Sequence, residues 1–176
     1  MLSGQADHHR RQTVRQAHFD LALAPQHGSK FLVLVEGGAV VVTGRQQLGV
    51  ARSKDGVTWD KLRSNPILSV GPTNSFDEEL GEPAVWSSGG WWWMLYTGRA
   101  HDERRRLGLA RSRDGLNWAR VQDFRIEGDQ AWDSKVLADP TVEQMPDATI
   151  RVWFGGGDVA SPDQSLHGQI GVGILH

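Results

Sequence analysis

Short apolar runs alternate with turn-forming residues along the whole chain, which is typical of a protein built from many short β-strands. In the first unit, two β-branched runs joined by Glu36, Gly37 and Gly38 predict a hairpin. A tight Asp-Gly turn separates the last two strands of the unit. The predicted strands of this unit are residues 31–35, 39–43, 47–53 and 57–62.

The same order of strands follows twice more. The strand at residues 91–97 contains the run WWWMLY, which does not alternate between apolar and polar residues. A strand that is apolar on both faces lies between two layers, so we expect it to be sandwiched between neighbouring sheets. The second unit is predicted at residues 82–86, 91–97, 106–111 and 116–121, and the third at 139–143, 149–154 and 169–174, without a fourth strand.

One stretch of sequence occurs twice in register. LGVARSKDGVTW at residues 48–59 returns as LGLARSRDGLNW at residues 107–118. Gly49 and Gly108 are 59 residues apart (108 − 49), and a third copy, QIGVGILH, begins at Gln169. Self-similarity at a fixed period indicates a repeat architecture, in which each unit buries its apolar faces against its neighbours.

Four-stranded antiparallel units joined by turn-rich links predict an all-β fold: a β-propeller with four-stranded antiparallel blades, incomplete at about three blades per chain. Strand parity puts the tight SxDG turns at one end of each blade and the long loops at the other. We call the second end the loop face. The loops predicted there are residues 63–81, 98–105, 122–138 and 155–168. By the same parity, Asp55 and Asp114 of the SxDG turns are predicted to be scaffold, together with the Ser and Trp that bracket them.

The predicted domain organisation is a polar N-terminal tail over residues 1–18 and a single propeller-like domain over residues 19–176. Its blades span about residues 19–63, 82–121 and 139–176. The tail is rich in His and Arg, and fits a frayed segment or short helix, a cloning remnant or a partner-binding arm.

Two carboxylates stand out on the loop face. Each of the two later units begins its first strand with an acid followed by a proline, Glu82-Pro83 and Asp139-Pro140. A proline at the start of a strand fixes the entry direction, which aims the acid at the mouth of the channel. Two convergent carboxylates are what glycoside hydrolysis uses. The alternative is that both acids only cap loop backbone.

Further polar and aromatic residues share the loop face and are candidates for substrate binding. Their functional groups suit sugar hydroxyls, a phosphate or a carboxylate, and the aromatic rings suit stacking on a sugar. Loop solvation or packing under the rim is the alternative for each. The candidates are Asp77, Arg99, His101, Trp132, Asp133 and Asp158. The acids and histidines are scattered without tight ligand spacing, so no metal site and no cofactor are predicted.

The composition bears on which partners and which kinds of site the protein can have. The net charge is −2, which gives no sign of a nucleic-acid partner. The apolar run after Phe31 is broken by Glu36 and is too short to cross a bilayer, so no membrane partner and a soluble protein are predicted. There is no cysteine, which excludes disulfides and thiolate metal sites and leaves the compartment open. No secretory leader is seen near the N-terminus.

The order of these motifs resembles a known family. SxDGxxW, an aromatic residue with Asp, an acid with Pro, a strand ending in YTG, and then LGLA are similar to the five-bladed β-propeller glycoside hydrolases of families 32, 43, 62, 68 and 130. The resemblance covers roughly residues 31–176 and implies catalytic acids on inner strands around the channel, at Glu82 and Asp139 in this chain. Members of families 32 and 43 use Asp, Asp and Glu in that order, whereas here the Glu comes first and the first unit has no acid-Pro pair.

Five blades of this period need about 300 residues, and this chain has material for about three. An open ring exposes the flat apolar face of a blade and unpaired strand edges. We therefore expect either a homo-oligomer formed through exposed blade faces or a piece of a longer protein.

Three functions remain open at this stage. The first is a carbohydrate-active enzyme of glycoside hydrolase type, with Glu82 as general acid and Asp139 as base or nucleophile, acting on a carbohydrate ligand. The second is a non-catalytic propeller module that binds a glycan or a protein. The third is a degenerate structural remnant.

Overall fold

The computed structural model describes residues 31–37, 45–53, 57–161 and 167–176. The predicted tail over residues 1–18, the strand predicted at 39–43 and the turn at 54–56 lie outside these ranges. Every regular element of the described part is a β-strand, except one 3-10 turn at Ala131–Asp133. No helix in this part is long and apolar enough to span a membrane.

The strands form three consecutive antiparallel groups, which we call blades 1, 2 and 3. Blade 1 has the strand order β1-β2-β3. Blades 2 and 3 join into one seven-stranded sheet through a single parallel pair, Arg105 with Val136. The strands of blade 1 are β1 (Phe31–Gly37), β2 (Gln47–Ser53) and β3 (Asp60–Lys61). Blade 2 comprises β4 (Glu79–Ser88), β5 (Trp91–Arg99), β6 (Arg105–Ser112) and β7 (Trp118–Ile126), and blade 3 comprises β8 (Val136–Gln144), β9 (Ile150–Gly157) and β10 (Gln169–Leu175).

The hairpin predicted in blade 1 is wrong. Glu36 and Gly37 do not turn the chain but continue β1, where they pair with Leu48 and Gln47 of β2. The apolar run of β1 thus pairs with the repeated strand, as β5 pairs with β6 in blade 2. The last strand of the blade is shorter than predicted, since only Asp60–Lys61 is regular.

The acid-proline pairs do not start their strands, as the sequence had suggested. β4 and β8 begin three residues earlier, and the pairing register shifts between Gly81 and Ala84 and between Ala138 and Thr141. Both shifts are β-bulges built around the acid and its proline. A bulge leaves one residue out of the ladder, so the missing proline N–H costs no hydrogen bond there.

Blade 2 lies between two apolar clusters, as the sequence predicted for its second strand. Met94 and Tyr96 of β5 face one cluster, which includes Leu48 and Val50 of blade 1. Leu95, between them in sequence, faces the other cluster, which includes Val152 of blade 3. Alternate side chains of one strand therefore stabilise two different blade contacts.

A glycine in the third strand makes room for the aromatic side chain of the second. A Cβ added at Gly108 would lie 2.3 Å from Tyr96, and one added at Gly171 would lie 2.5 Å from Phe154. Each glycine is the cross-strand partner of the ring it accommodates. The glycine of the LGLA motif is thus required by a close approach rather than by a turn.

Candidate active site

Glu82 and Asp139, in the two acid-proline bulges, have similar backbone φ angles. Glu82 has φ 44° and Asp139 has φ 52°, both in the left-handed region that residues with a Cβ seldom occupy. Backbone of this kind clusters at functional sites. Glu82 is half-buried and Asp139 is exposed, so the two carboxyl groups have different solvation. The Asp139 carboxylate lies beside the backbone of Gly155, since a Cβ added there would be 3.6 Å from Oδ2.

Thr97 connects the two bulges. Its backbone pairs with Gly81, the residue before Glu82, in the β4-β5 ladder. Its hydroxyl accepts a hydrogen bond of 3.2 Å from the backbone N–H of Asp139. Thr97 is 2% exposed. The buried side chain of Thr97 in blade 2 therefore links the bulge of blade 3 to the bulge of blade 2. The strands that contain these bulges, β4 and β8, lie next to each other.

Asp77, predicted to bind substrate, lies inside the protein. It is 3% exposed, and its Oδ2 accepts bonds from Arg120 Nε at 2.7 Å and from the Tyr96 hydroxyl at 3.2 Å. Its Oδ1 accepts a bond of 2.8 Å from Ser75. Burial of the Tyr96 ring, and then the charge of Asp77, raise the pKa of the tyrosine. A ligand could reach this carboxylate only by displacing the side chains that already bind it.

Asp133, the corresponding acid of blade 3, is also buried, at 5% exposure. Its Oδ1 accepts the backbone N–H of Gln130 at 2.8 Å and closes the 3-10 turn. A Cβ added at Gly128 would lie 2.0 Å from the Asp133 carbonyl oxygen, so the loop folds tightly around the acid. Both aromatic-Asp pairs place their acid where it holds the loop before an inner strand.

The aromatic partners of these acids pack on the second strands. Phe76 stacks on Tyr96 with ring centroids 6.4 Å apart, and Trp132 stacks on Phe154 at 6.0 Å. Gly98 and Gly156 provide the space for these rings, because an added Cβ would come within 3 Å of Phe76 at Gly98 and of Trp132 at Gly156. Both loop rings are half-buried, so Trp132 keeps only part of its surface for a ligand.

Arg99 and His101 line a small cavity on the loop face, with a volume of about 120 Å³. Arg99 donates from Nε to Glu103 at 2.6 Å and lies 3.8 Å from Glu79. His101 is exposed at the rim. The remaining charged residues of the lining are Arg45 and Glu78, which pair at 3.2 Å. The cavity thus combines planar Arg donors with carboxylate acceptors, which pair with each other.

Asp158 lies in the corresponding loop of blade 3. Its Oδ1 is 2.8 Å from Nδ1 of His167, and both side chains are largely exposed. Within the described ranges, no three His, Asp or Glu residues are arranged to hold a metal ion.

A larger depression, of about 350 Å³, lies at the opposite end of the blade. Ser88, Gly90 and Trp91 of the β4-β5 hairpin line it. It has no acid or base among its lining residues, so it does not suit proton transfer. Arg111 and Arg113 instead pack their guanidinium groups over Trp91, with the Arg113 Cζ 3.6 Å from the ring centroid.

The SxDG turn of blade 2 is scaffold, as strand parity predicted. Asp114 Oδ1 accepts the backbone N–H groups of Leu116 and Asn117, each at 2.8 Å. The bond from the Asn117 backbone, then the bond from its side chain, lower the pKa of Asp114 below its ordinary value. Trp118 donates from its indole to the Gly115 carbonyl at 2.9 Å. The equivalent Asp55 lies outside the described residues.

Thr97, Arg120 and Glu103 have roles that sequence reasoning missed. Thr97 lies in the YTG that ends an aromatic strand, and sequence reasoning gave no role to its side chain. Arg120 reaches Asp77 across 43 positions of sequence. No spacing rule joins residues so far apart. A small residue, Gly81 or Ala138, precedes each acid-proline pair, and this shared feature could have pointed to the bulge.

Together, the strand order and the blade-on-blade packing define a partial β-propeller. The sequence profile described as "Glycosyl hydrolases family 32 N-terminal domain" matches residues 21–148. The chain belongs to this family. Comparison with curated proteins gives no match.

Solved structures share the fold. The Bombyx mori GH32 beta-fructofuranosidase is 22% identical, with a TM-score of 0.63 over 85% of this chain and 32% of that chain. Fructan 1-exohydrolase IIa from Cichorium intybus is 22% identical, with a TM-score of 0.58 over 73% and 25%. A thermostable family-43 glycoside hydrolase is 17% identical, with a TM-score of 0.62 over 90% and 52%. This chain therefore spans a third or less of the Bombyx mori and Cichorium intybus enzymes.

Proposed function

We propose that the protein is a glycosidase-type propeller that acts on a carbohydrate through Glu82 and Asp139. The observation that carries the proposal is the pair of matched bulges, each with an acid at positive φ, on the neighbouring strands β4 and β8. Strained backbone at two equivalent positions is expensive and would be retained where it aims a functional group.

The two acids are proposed to take different roles. Glu82, which is half-buried, is the proposed general acid. Asp139, which is exposed, is the proposed base or nucleophile. Glycoside hydrolysis requires one carboxyl group in each role on opposite sides of the scissile bond.

The cavity beside Arg99 and His101 is the proposed subsite for sugar hydroxyls. Its volume of about 120 Å³ would hold part of one sugar ring. Support for a carbohydrate ligand comes also from a variant of the Bombyx mori enzyme, whose structure contains sucrose. Asp158 and the free edge of Trp132 are proposed to contact the substrate from blade 3, whereas Asp77 and Asp133 would act only by holding their loops.

The test is turnover of a panel of aryl glycosides, sucrose and fructo-oligosaccharides, with product detected by chromatography. We expect the wild-type chain to release product and Glu82→Gln to lose that activity while its circular dichroism stays unchanged. Glu143→Gln is the matched control, because Glu143 lies on β8 with Asp139 but has its side chain 53% exposed and paired with Arg151. An active Glu82→Gln variant would refute the catalytic role.

A non-catalytic glycan-binding module is the second candidate, favoured by the absence of an acid-proline pair in the first unit. Calorimetric titration with the same panel separates the two functions. Binding of an oligosaccharide without any product from the wild-type chain would support the module and overturn the enzyme.

A further inference from the structure

Two arginines meet on one tryptophan at the tight-turn end of blade 2, opposite the loop face. Arg111 and Arg113 pack over the ring of Trp91, with their Cζ atoms 4.5 Å and 3.6 Å from its centroid. Both arginines are exposed, whereas Trp91 is half-buried. We call these three residues the cationic cluster. It holds two positive charges around one anchored aromatic ring, although like charges repel each other.

No acid pairs with the cationic cluster within the part of the chain that the structure describes. The neighbouring acid in sequence, Asp114, accepts its hydrogen bonds from its own turn, including the backbone N–H groups of Leu116 and Asn117. Glu143, at the same end of β8, pairs instead with Arg151. The two positive charges of the cluster are therefore left for an anion from outside.

Packing on the ring directs the hydrogen-bond donors of the arginines. A guanidinium that lies over an aromatic face keeps its N–H groups in its own plane, where they can bind a carboxylate in bidentate fashion. Arg113 donates from one of its nitrogens to the carbonyl of Gly90 at 2.9 Å, which ties it to the β4-β5 hairpin. Its remaining N–H groups and those of Arg111 have no partner among the described residues. The cluster is thus preorganised for a planar anion.

The depression of about 350 Å³ adjoins the cluster and adds groups of another kind. Trp91 lines it together with Trp92, and both rings are half-buried, so each keeps part of its apolar surface exposed. Ser87 and Ser88 line it too, and both are exposed. Aromatic surface with a few polar groups is typical of a small-molecule site. A sugar ring matches this lining, because it has apolar C–H faces and hydroxyl groups at its edge.

We propose that this end of blade 2 binds an acidic carbohydrate, with the carboxylate of a uronic acid on the two guanidinium groups and its sugar ring in the adjoining depression. Trp91 and Thr97 are six residues apart on β5 (97 − 91), which is about 20 Å along a strand. The site is therefore remote from Glu82 and Asp139, and it does not depend on the catalysis proposed for them. It would hold a carbohydrate chain on the face away from the long loops.

Calorimetric titration of the full chain with trigalacturonate at low salt tests the proposal. Its trimethyl ester is the matched ligand, since it keeps the rings but lacks the charges. We expect the acid to bind, added salt to weaken it, and the ester to bind at least about tenfold less tightly. Arg111→Gln and Arg113→Gln should each lower the affinity about tenfold, because each removes a charged donor pair. Arg111→Lys keeps the charge without the planar fork and should also bind more weakly.

Arg104→Gln is the control variant, because Arg104 is 40% exposed but lies on the loop face, where it pairs with Asp102, and it should bind as the wild type does. Glu82→Gln should also keep the wild-type affinity, so a failure of this site and a failure of the proposed catalysis are distinguishable. No binding by the wild type, equal affinity for acid and ester, or unchanged affinity in both glutamine variants would overturn the proposal. Poly-glutamate bound as tightly as trigalacturonate would overturn the assignment to a carbohydrate.

Discussion

Blades 2 and 3 share one backbone plan and differ in how firmly each is held. Both have an acid-proline bulge, a loop aromatic stacked on the second strand and a glycine beneath the ring. In blade 2 the loop acid Asp77 is tied to two other strands, through Tyr96 and Arg120. In blade 3 the loop acid Asp133 binds the backbone of its own turn, and Trp153 and Ile170 of the outer face are exposed.

The difference separates stability from function. Features common to both blades surround the acids Glu82 and Asp139, so they are the features that the proposed chemistry would use. Features found only in blade 2 anchor the molecule, since that blade has a neighbour on each side. In blade 3, Asp139 is exposed, which suits the proposed access of a substrate.

The largest effect should come from the buried anchor of blade 2. Asp77→Ala leaves Arg120 without its carboxylate and the Tyr96 hydroxyl without its acceptor, and we expect a loss of about 3 kcal/mol of unfolding free energy. Asp133→Ala should cost about 1 kcal/mol, because it removes one turn-closing bond. Urea denaturation measures both. Equal losses would mean that the two loops are anchored alike.

A smaller effect is expected from filling the space that Gly108 leaves for the Tyr96 ring. Gly108→Ala would force its new methyl group into Tyr96 and should cost about 1–3 kcal/mol. Gly173→Ala is the control, because nothing lies within 4 Å of its added Cβ and the substitution should be neutral or slightly stabilising. Thermal unfolding that ranks these two variants the other way would contradict the packing described for β5 and β6.

Thr97 is expected to act as a positioning residue between the blades. Thr97→Val keeps the shape but removes the acceptor for the Asp139 N–H, which should cost about 1 kcal/mol and accelerate hydrogen exchange at that amide. Thr97→Ser retains the hydroxyl and should restore the protection and any turnover lost in the valine variant. Unchanged exchange at Asp139 in the valine variant would rule out the positioning role.

The smallest effect is expected at the SxDG turn, far from the loop face. Hydrogen bonds from Asn117 and Leu116 lower the folded-state pKa of Asp114, whereas the pKa of an unfolded Asp is about 3.9. Its stabilisation is therefore complete above that pH and is lost as the pH falls through the folded-state pKa. Asp114→Asn should cost at most about 1 kcal/mol at this exposed site, with the deficit shrinking in acid. A deficit that grows as the pH falls would contradict the assignment.

Sequence reasoning reached the blade plan because the repeat and the apolar strand at residues 91–97 are local signals. It placed the long loops on one face by counting strands, and the turns at Gly89-Gly90 and at Gly115 lie at the opposite end, as expected. It failed in blade 1, where Glu36 and Gly37 resemble turn residues but pair with β2. Local preference for a turn was overridden there by pairing with the repeated strand.

The site was less predictable because its geometry depends on contacts between distant residues. The two acids were found from their prolines, but the bulge that holds them requires knowledge of the pairing register. Asp77 and Asp133 resembled ligand-binding residues in sequence, and burial shows that both oxygens of Asp77 are occupied within the protein. Burial and partnership, rather than residue type, distinguish a loop anchor from a candidate catalytic acid.

The central claim is that Glu82 and Asp139 act as one catalytic unit, and the most direct measurement is kcat/KM for Glu82→Gln, Asp139→Asn and the double variant. Residues that act together give strongly non-additive losses, so we expect the double variant to be no more than a few-fold worse than the poorer single variant. Losses that multiply, or a single variant with wild-type activity, would contradict a shared site.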